Sequence, residues 1–169
     1  MLTLSLLLLA ATADPLAPAR AGQVQCYDPV PAQKVCRAIG SYAFAADGSI
    51  SNLAVTRIQD TPAIVMFARS PVVLKADREC SAGALKDTDI ERIEVDGQPL
   101  DAATLAVARS QIVAALPDFM KTGEALCSAY SPNPDGTMSA TVDVGGVAHP
   151  ELTATVRWVD PAEGWKVVP

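Results

Sequence analysis

The sequence predicts an α+β domain that is mainly antiparallel β-sheet built from hairpins, with one substantial amphipathic helix packed on the sheet. Three observations predict it. Apolar and polar residues alternate with a period of two through several short segments separated by Asp-Gly and Gly-Gly turns, the pattern of half-buried strands. One segment, residues 102–116, instead repeats its apolar residues at helical spacing. Four cysteines follow a short apolar N-terminal run, as in an exported, disulfide-bonded chain. With 169 residues, 50% of them apolar and 19% charged, the chain has the length of one domain with a real core and is too apolar for disorder.

Residues 2–10 read LTLSLLLLA. This run is far short of the roughly 20 apolar residues that span a bilayer and has the length of a signal-peptide h-region. Ala11-Thr12-Ala13 supplies the small residues of a cleavage site. Residues 1–13 are therefore expected to be a signal peptide, with an alternative cut after Ala21, where Ala19-Arg20-Ala21 has the same form. No Lys or Arg precedes the run, and a buried core helix or strand is the competing reading. Residues 14–33, rich in Pro, Ala and Gly, are expected as an extended leader, and residues 34–169 as the single domain.

Within that domain, residues 41–45 alternate Tyr42 and Phe44 against small neighbours, and Asp47-Gly48 turns the chain into a second strand, 49–58. Thr61-Pro62 breaks it. Residues 64–67 form a short strand ended near Pro71, and 72–75 form another. The polar stretch 77–89 reads as a loop with at most one helical turn, before a strand over 90–95 that ends at Asp96-Gly97. Asp101 is placed to N-cap the helix. Leu105, Ala108, Ile112 and Leu116 form its stripe, and Pro117 stops it. The last 45 residues read as antiparallel sheet. Strands are expected over 124–130, 138–144, 152–158 and 165–168, with turns at Asn133-Pro134-Asp135-Gly136 and Gly145-Gly146. An ungapped offset of 88 residues aligns Tyr42 with Tyr130, Asp47-Gly48 with Asp135-Gly136, Pro62 with Pro150 and Arg69 with Arg157. This register suggests an internal duplication with a pseudo-twofold arrangement.

An even count of cysteines in an exported chain reads as two disulfides among Cys26, Cys36, Cys80 and Cys127. Three pairings are open. The favoured one joins Cys26 to Cys36 across YDPVPAQKV and Cys80 to Cys127 across a long loop, the second constraining the unfolded chain by a few kcal/mol. Zinc chemistry is disfavoured because no close Cys pair exists and His149 is the only histidine. No C-x-x-C redox pair is present either.

A formal charge of −6 with no basic run argues against nucleic acid or an anionic membrane as partner. No G-x-S-x-G, H-E-x-x-H, phosphate-binding or dinucleotide-binding glycine motif occurs. No catalytic residue, metal ligand or cofactor is therefore assigned. The acids Asp77, Glu79, Asp87, Asp89, Glu91, Glu94, Asp96 and Asp101 are the densest charge cluster. Asp87, Asp89 and Glu91 have the spacing that opens a calcium loop, but Arg92 and Gln98 stand where Gly and Glu are required. The cluster reads as a solvated acidic face. Trp158 and Trp165, flanking a turn of the last hairpin, offer a ligand or interaction platform, or else cross-strand packing at one end of the core.

The segment SYAFAADGSISNLAVTRIQDTP resembles the strand–turn–strand hairpin of TonB C-terminal domains. The end, ATVRWVDPAEGWKVVP, is similar to the closing hairpin of secreted proteins with an NTF2-like cone. No functional residue is carried over from either. With the Ala-rich composition, these features suggest a bacterial envelope protein, periplasmic or secreted. The expected role is a non-enzymatic module that binds a protein or cell-surface component. A small hydrophobic-ligand binder with an NTF2-like cone shape is the first alternative, and a hydrolase using carboxylates alone is the second.

Overall fold

Turns at Asp47-Gly48, Thr61-Pro62 and Asp135-Gly136 cut the chain into antiparallel strands. The computed structural model describes residues 14–81 and 83–168, and the expected signal peptide, residues 1–13, lies outside them. In chain order the elements are a helical turn α1 (Ala17–Arg20), β1 (Val24–Tyr27), β2 (Val35–Cys36), β3 (Ala38–Phe44), β4 (Ile50–Asp60), β5 (Ala63–Lys75) and β6 (Arg78–Ser81). Then come β7 (Ile90–Val95), β8 (Gln98–Pro99), α2 (Ala102–Ala115) and α3 (Asp118–Lys121). The chain closes with β9 (Leu126–Pro132), β10 (Met138–Val144), β11 (Val147–Ala148), β12 (Ala154–Val159) and β13 (Lys166–Val167).

Eight of these strands pair in a ring that follows the chain: β1, β3, β4, β5, β6, β9, β10, β12 and back to β1, every pair antiparallel. This is an up-and-down barrel, which removes its own sheet edges by closing. Closure runs through Val24↔Val159, Gln25↔Trp158, Cys26↔Arg157 and Tyr27↔Val156. The broader expectation of an antiparallel, β-rich α+β fold holds. The sheet, however, closes into a barrel, which was not expected.

Four local expectations are corrected. The Pro- and Ala-rich stretch 14–33 is not an extended leader. It supplies β1, between β3 and β12, and α1, whose Leu16 is fully buried against Val72 with Tyr42, Phe44, Ile50, Leu74 and Trp158 packed around it. Leu16 plugs one end of the barrel because that end is lined by apolar residues and the adjacent turn brings it there. Pro71 does not end a strand. β5 runs through it, because residues 69–71 fall where one edge of β5 has no partner: β7 holds 64–68 and β6 holds 72–75, so an absent N–H costs little. Residues 78–81 are a strand, not loop, held to β5 and β9. The final strand does not form a hairpin with β12. It pairs in parallel with β2, so the resemblance to a closing hairpin fails at the pairing.

Helix α2 matches its expected span. Asp101 caps it by accepting from the Ala103 and Thr104 N–H groups at 2.9 and 3.0 Å. Leu105, Ala108, Ile112 and Val113 pack on Ala68, Ile90 and Ile93, the part of the β5–β7 sheet that extends beyond the barrel. Its amphipathic character is weak. Val107 on the other side is 59% exposed, and the one charged residue, Arg109, turns inward to donate to the Ile90 and Glu91 carbonyls.

Both favoured disulfides form, Cys26–Cys36 and Cys80–Cys127. Cys80 and Cys127 are direct cross-strand neighbours with Cα atoms 4.0 Å apart.

The offset of 88 carries the β3–β4 hairpin onto β9–β10, with Tyr42↔Asn52 matching Tyr130↔Ala140, but not β5 onto β12: Asn52 pairs with Ser70 whereas Ala140 pairs with Ala154, so Arg69 and Arg157 are not equivalent positions. β3–β4–β5 and β9–β10–β12 are both meanders. Asp47 accepts from Ser49 N–H and O–H at 2.9 and 2.7 Å, and Asp135 accepts from Thr137 N–H and O–H at 3.0 and 2.7 Å.

Leu16→Ala is expected to cost about 2–5 kcal/mol of stability, the range for emptying a fully buried leucine site. Asp101→Ala, which removes only a cap, is expected to cost about 1 kcal/mol. Urea unfolding of the two variants checks both the size and the order of these losses.

Candidate functional site

Alternation decides what lines the barrel. Gln25 and Tyr27 on β1, Tyr42 on β3, Asn52 on β4, Ser70 on β5, Glu79 on β6, and Ser128 and Tyr130 on β9 all share the inner face by register. Cys26, one residue from Gln25, points the other way into a cluster with Cys36 and Val159.

The inward polar side chains meet at Glu79. Its Oε2 accepts from the Tyr130 hydroxyl at 2.8 Å. The Tyr42 hydroxyl lies 2.6 Å from both Glu79 Oε1 and Gln25 Oε1 and donates to one at a time. Gln25 is fully buried. Its Nε2 donates to Tyr130 Oη at 2.8 Å, and its Oε1 accepts from Tyr27 Oη at 3.0 Å. Tyr27 and Tyr130 hydroxyls lie 3.3 Å apart. Gly40 faces this group because a Cβ there would sit 3.0 Å from Gln25 Oε1 and 3.2 Å from Asn52 Nδ2, tighter than ordinary contact.

These three tyrosines are all the tyrosines of the chain. Burial pushes each hydroxyl well above its ordinary pKa, and the Glu79 charge raises each further. Each phenol thus stays neutral in the folded protein.

Beside the polar group lies a cavity of about 170 Å³, lined by Tyr27, Asn52, Ser70, Val72, Glu79, Ser81, Leu126 and Ser128. Ser70, Ser81 and Leu126 also line a second, larger space of about 260 Å³, so the two lie side by side. The larger one is a cleft at the barrel mouth. It opens where β6 leaves β5 and β7 has not yet joined it, and it is walled by Ala84, Leu85, Phe119, Met120 and Val144. Phe119 of α3 stacks on His149 with ring centroids 4.1 Å apart, which fixes that wall of the cleft against the β11 turn. The opposite end of the barrel is the one closed by Leu16.

The residues singled out from sequence scatter. Trp158 lies 6.3 Å from Tyr42, among the residues around Leu16. Trp165 packs beside Cys26, Cys36 and Val159. The two indoles belong to different clusters and make no common platform. Asp89 accepts from Lys86 N–H, and Glu91 pairs with Arg69 at 2.7 Å. Asp96 accepts from Ala63 N–H. Among the described residues no group of three or more His, Cys, Asp or Glu side chains is arranged to hold a metal ion. Glu79, read from sequence as one acid of a solvated face, is the exception that turns inward. The Cys80–Cys127 bridge carried the signal, since a cross-strand cystine facing out sends its neighbour Glu79 in.

No protein-family model, curated protein or solved structure matches this chain.

The three tyrosines give a test of the site. A phenol with a raised pKa in the folded state contributes its stabilisation in full below the unfolded value, about 10, and loses it as pH climbs beyond that. Absorbance at the tyrosinate band is therefore expected to stay flat through pH 10 in the folded protein. It should rise only together with alkaline unfolding followed by circular dichroism. A tyrosinate signal of even one residue near pH 10 in folded protein would contradict the buried cluster.

Proposed function

We propose that this protein is an exported, non-enzymatic barrel that binds one small amphipathic molecule, with its polar end in the barrel interior and its apolar body in the mouth cleft. The observation that carries this reading is the shared wall of two spaces: Ser70, Ser81 and Leu126 line both a polar cavity beside Glu79 and a cleft walled by Leu85, Phe119, Met120 and Val144. Concave, mostly apolar walls with a few convergent polar groups are what small-molecule sites require. The cavity's lining holds one carboxylate, Glu79, whereas carboxylate-only glycoside cleavage needs two facing each other. The ligand-binding reading therefore stands ahead of the hydrolase. It also stands ahead of a protein-binding module, because the ring closes on itself through the β1–β12 ladder and the strand beyond it, β8, is two residues ending in Pro99.

The two disulfides fit an oxidising compartment, and the periplasm or the outside of the cell is the location proposed. No helix among the described residues is long and apolar enough to cross a membrane. The barrel itself suits an aqueous setting. β1 and β6 are four residues long against the roughly 9–11 of a spanning strand, and Arg57, Arg69 and Arg157 stand on faces opposite the lining. Export is proposed to cut after Ala13. A cut after Ala21 would remove Leu16 and Ala19, both buried against the barrel end. The matching β3–β4 and β9–β10 hairpins are proposed to descend from an internal duplication, with β7, β8 and α2 inserted between the halves.

A native and a denatured mass spectrum of protein purified from its own compartment test this. The denatured mass should begin at Asp14 and be lower than the reduced mass by the hydrogens of two disulfides. The native mass should carry an added small molecule that is lost on denaturation. A chain beginning at Gly22 overturns the cleavage proposal. A bare native mass, with no thermal stabilisation by any amphiphile added back, overturns the binding proposal.

A further inference from the structure

Resting on that reading, we infer that the polar end of the ligand is a cation bearing N–H groups, an ammonium or guanidinium, held by the Glu79 carboxylate. Four observations lead there. Glu79 forms no ion pair among the described residues: the salt bridges join Arg20, Arg37, Arg57, Arg69, Arg78, Arg92, Lys121 and His149 to other acids. Each of its oxygens receives at most one tyrosine hydroxyl, while a carboxylate has about four acceptor positions. Acceptor capacity is therefore left over on a side chain that lines the cavity.

The lining of that cavity holds no Lys, Arg or His. The mouth cleft adds Asp89 and Glu124 against Lys86, so a ligand passing from cleft to cavity meets more negative than positive charge. An anionic headgroup would be repelled by this excess of negative charge. A cation is drawn in by the same field. The tyrosines fit this as well. Their hydroxyls are tied into the Glu79–Gln25 network, which holds the carboxylate in one place beside the cavity.

Size limits the headgroup. A cavity of about 170 Å³ has room for about six waters at roughly 30 Å³ each. A primary ammonium or a guanidinium fits this space with its first few carbons, and the apolar remainder extends along Leu126 into the cleft.

The test uses three probes with the same chain and different ends: n-octylammonium, n-octanol and n-octanoate, titrated calorimetrically at neutral pH into the full mature protein. Octylammonium should bind most tightly and octanoate most weakly. Glu79→Gln keeps an acceptor for the tyrosines but removes the charge. It should weaken octylammonium by about tenfold or more, as expected for losing a hydrogen bond to a charged group, and leave octanol unchanged. Octanoate binding as well as octylammonium, or Glu79→Gln leaving octylammonium unaffected, overturns the cation assignment while the ligand site stands. Ser128→Phe fills the cavity and should remove all three probes. Competition between octylammonium and octanol on the wild-type protein tests the same point without a bulky substitution. Probes that neither compete nor respond to Ser128→Phe overturn the ligand-binding reading itself.

Discussion

Closure of the sheet through the β1–β12 ladder is the constraint on which the rest of the molecule depends. Four register pairs, from Val24↔Val159 to Tyr27↔Val156, turn a meander into a ring. Once the ring is shut, every second side chain of eight strands converges on one axis, and each must find a partner there or leave space. Gln25 shows the consequence. It is fully buried, and a buried amide without partners costs a few kcal/mol, so Tyr27, Tyr42 and Tyr130 are not independent decorations. They are what makes a glutamine at that position tolerable. The same closure gives Leu16 an end to plug. It also puts both cystines on the outside of the strands whose inward residues, Gln25 and Glu79, form the polar centre.

Local structure was legible in the sequence where a signal repeats. Period two placed β3, β4, β7 and β10, Asp-Gly placed three of the turns, and helical spacing with Asp101 placed α2. The favoured cysteine pairing also holds. What the sequence hid is whatever depends on closure. β1 is four residues, VQCY, set in a Pro- and Ala-rich stretch, too short for alternation to stand out. Its strand character comes from two neighbours distant in the chain. β6, RECS, alternates but sits among acids, so its Glu79 read as solvated surface. Pro71 read as a stop because local chemistry cannot know that β6 and β7 leave a gap on that edge of β5. The Trp158–Trp165 pairing failed for a related reason. Trp158 and Val159 point to opposite faces of β12, and Trp165 follows Val159.

The interior is costlier than folding alone requires. A barrel of this size can be filled with Val, Leu and Ile, and replacing buried polar networks with well-packed apolar groups is often neutral or stabilising. Here one carboxylate, one amide and three phenols occupy the axis, and space remains beside them. The opposite end shows that the chain can fill the barrel when it needs to, with Leu16, Phe44, Ile50, Val72, Leu74 and Trp158 packed together. Polar and hollow at one end, apolar and plugged at the other, the barrel is differentiated along its axis. That polarity is the physical basis for reading it as a receptacle.

The two halves of the barrel sharpen this further. Gln25 precedes Cys26 on β1, and Glu79 precedes Cys80 on β6. Each points inward and contacts the tyrosine of the next long strand of its half, Tyr42 or Tyr130, and each also reaches across to the tyrosine of the other half. The positions are equivalent in the ring but differ in chemistry by one atom, an amide nitrogen for a carboxylate oxygen. Two carboxylates sharing one set of tyrosines would repel, and one would be forced to hold a proton. Two amides would complete the network with no charge at all. The observed combination lets Gln25 donate where Glu79 accepts, so the network closes around a single carboxyl group. A scaffold for packing has no use for that asymmetry; a pocket that must distinguish a cation from its neutral and anionic counterparts does.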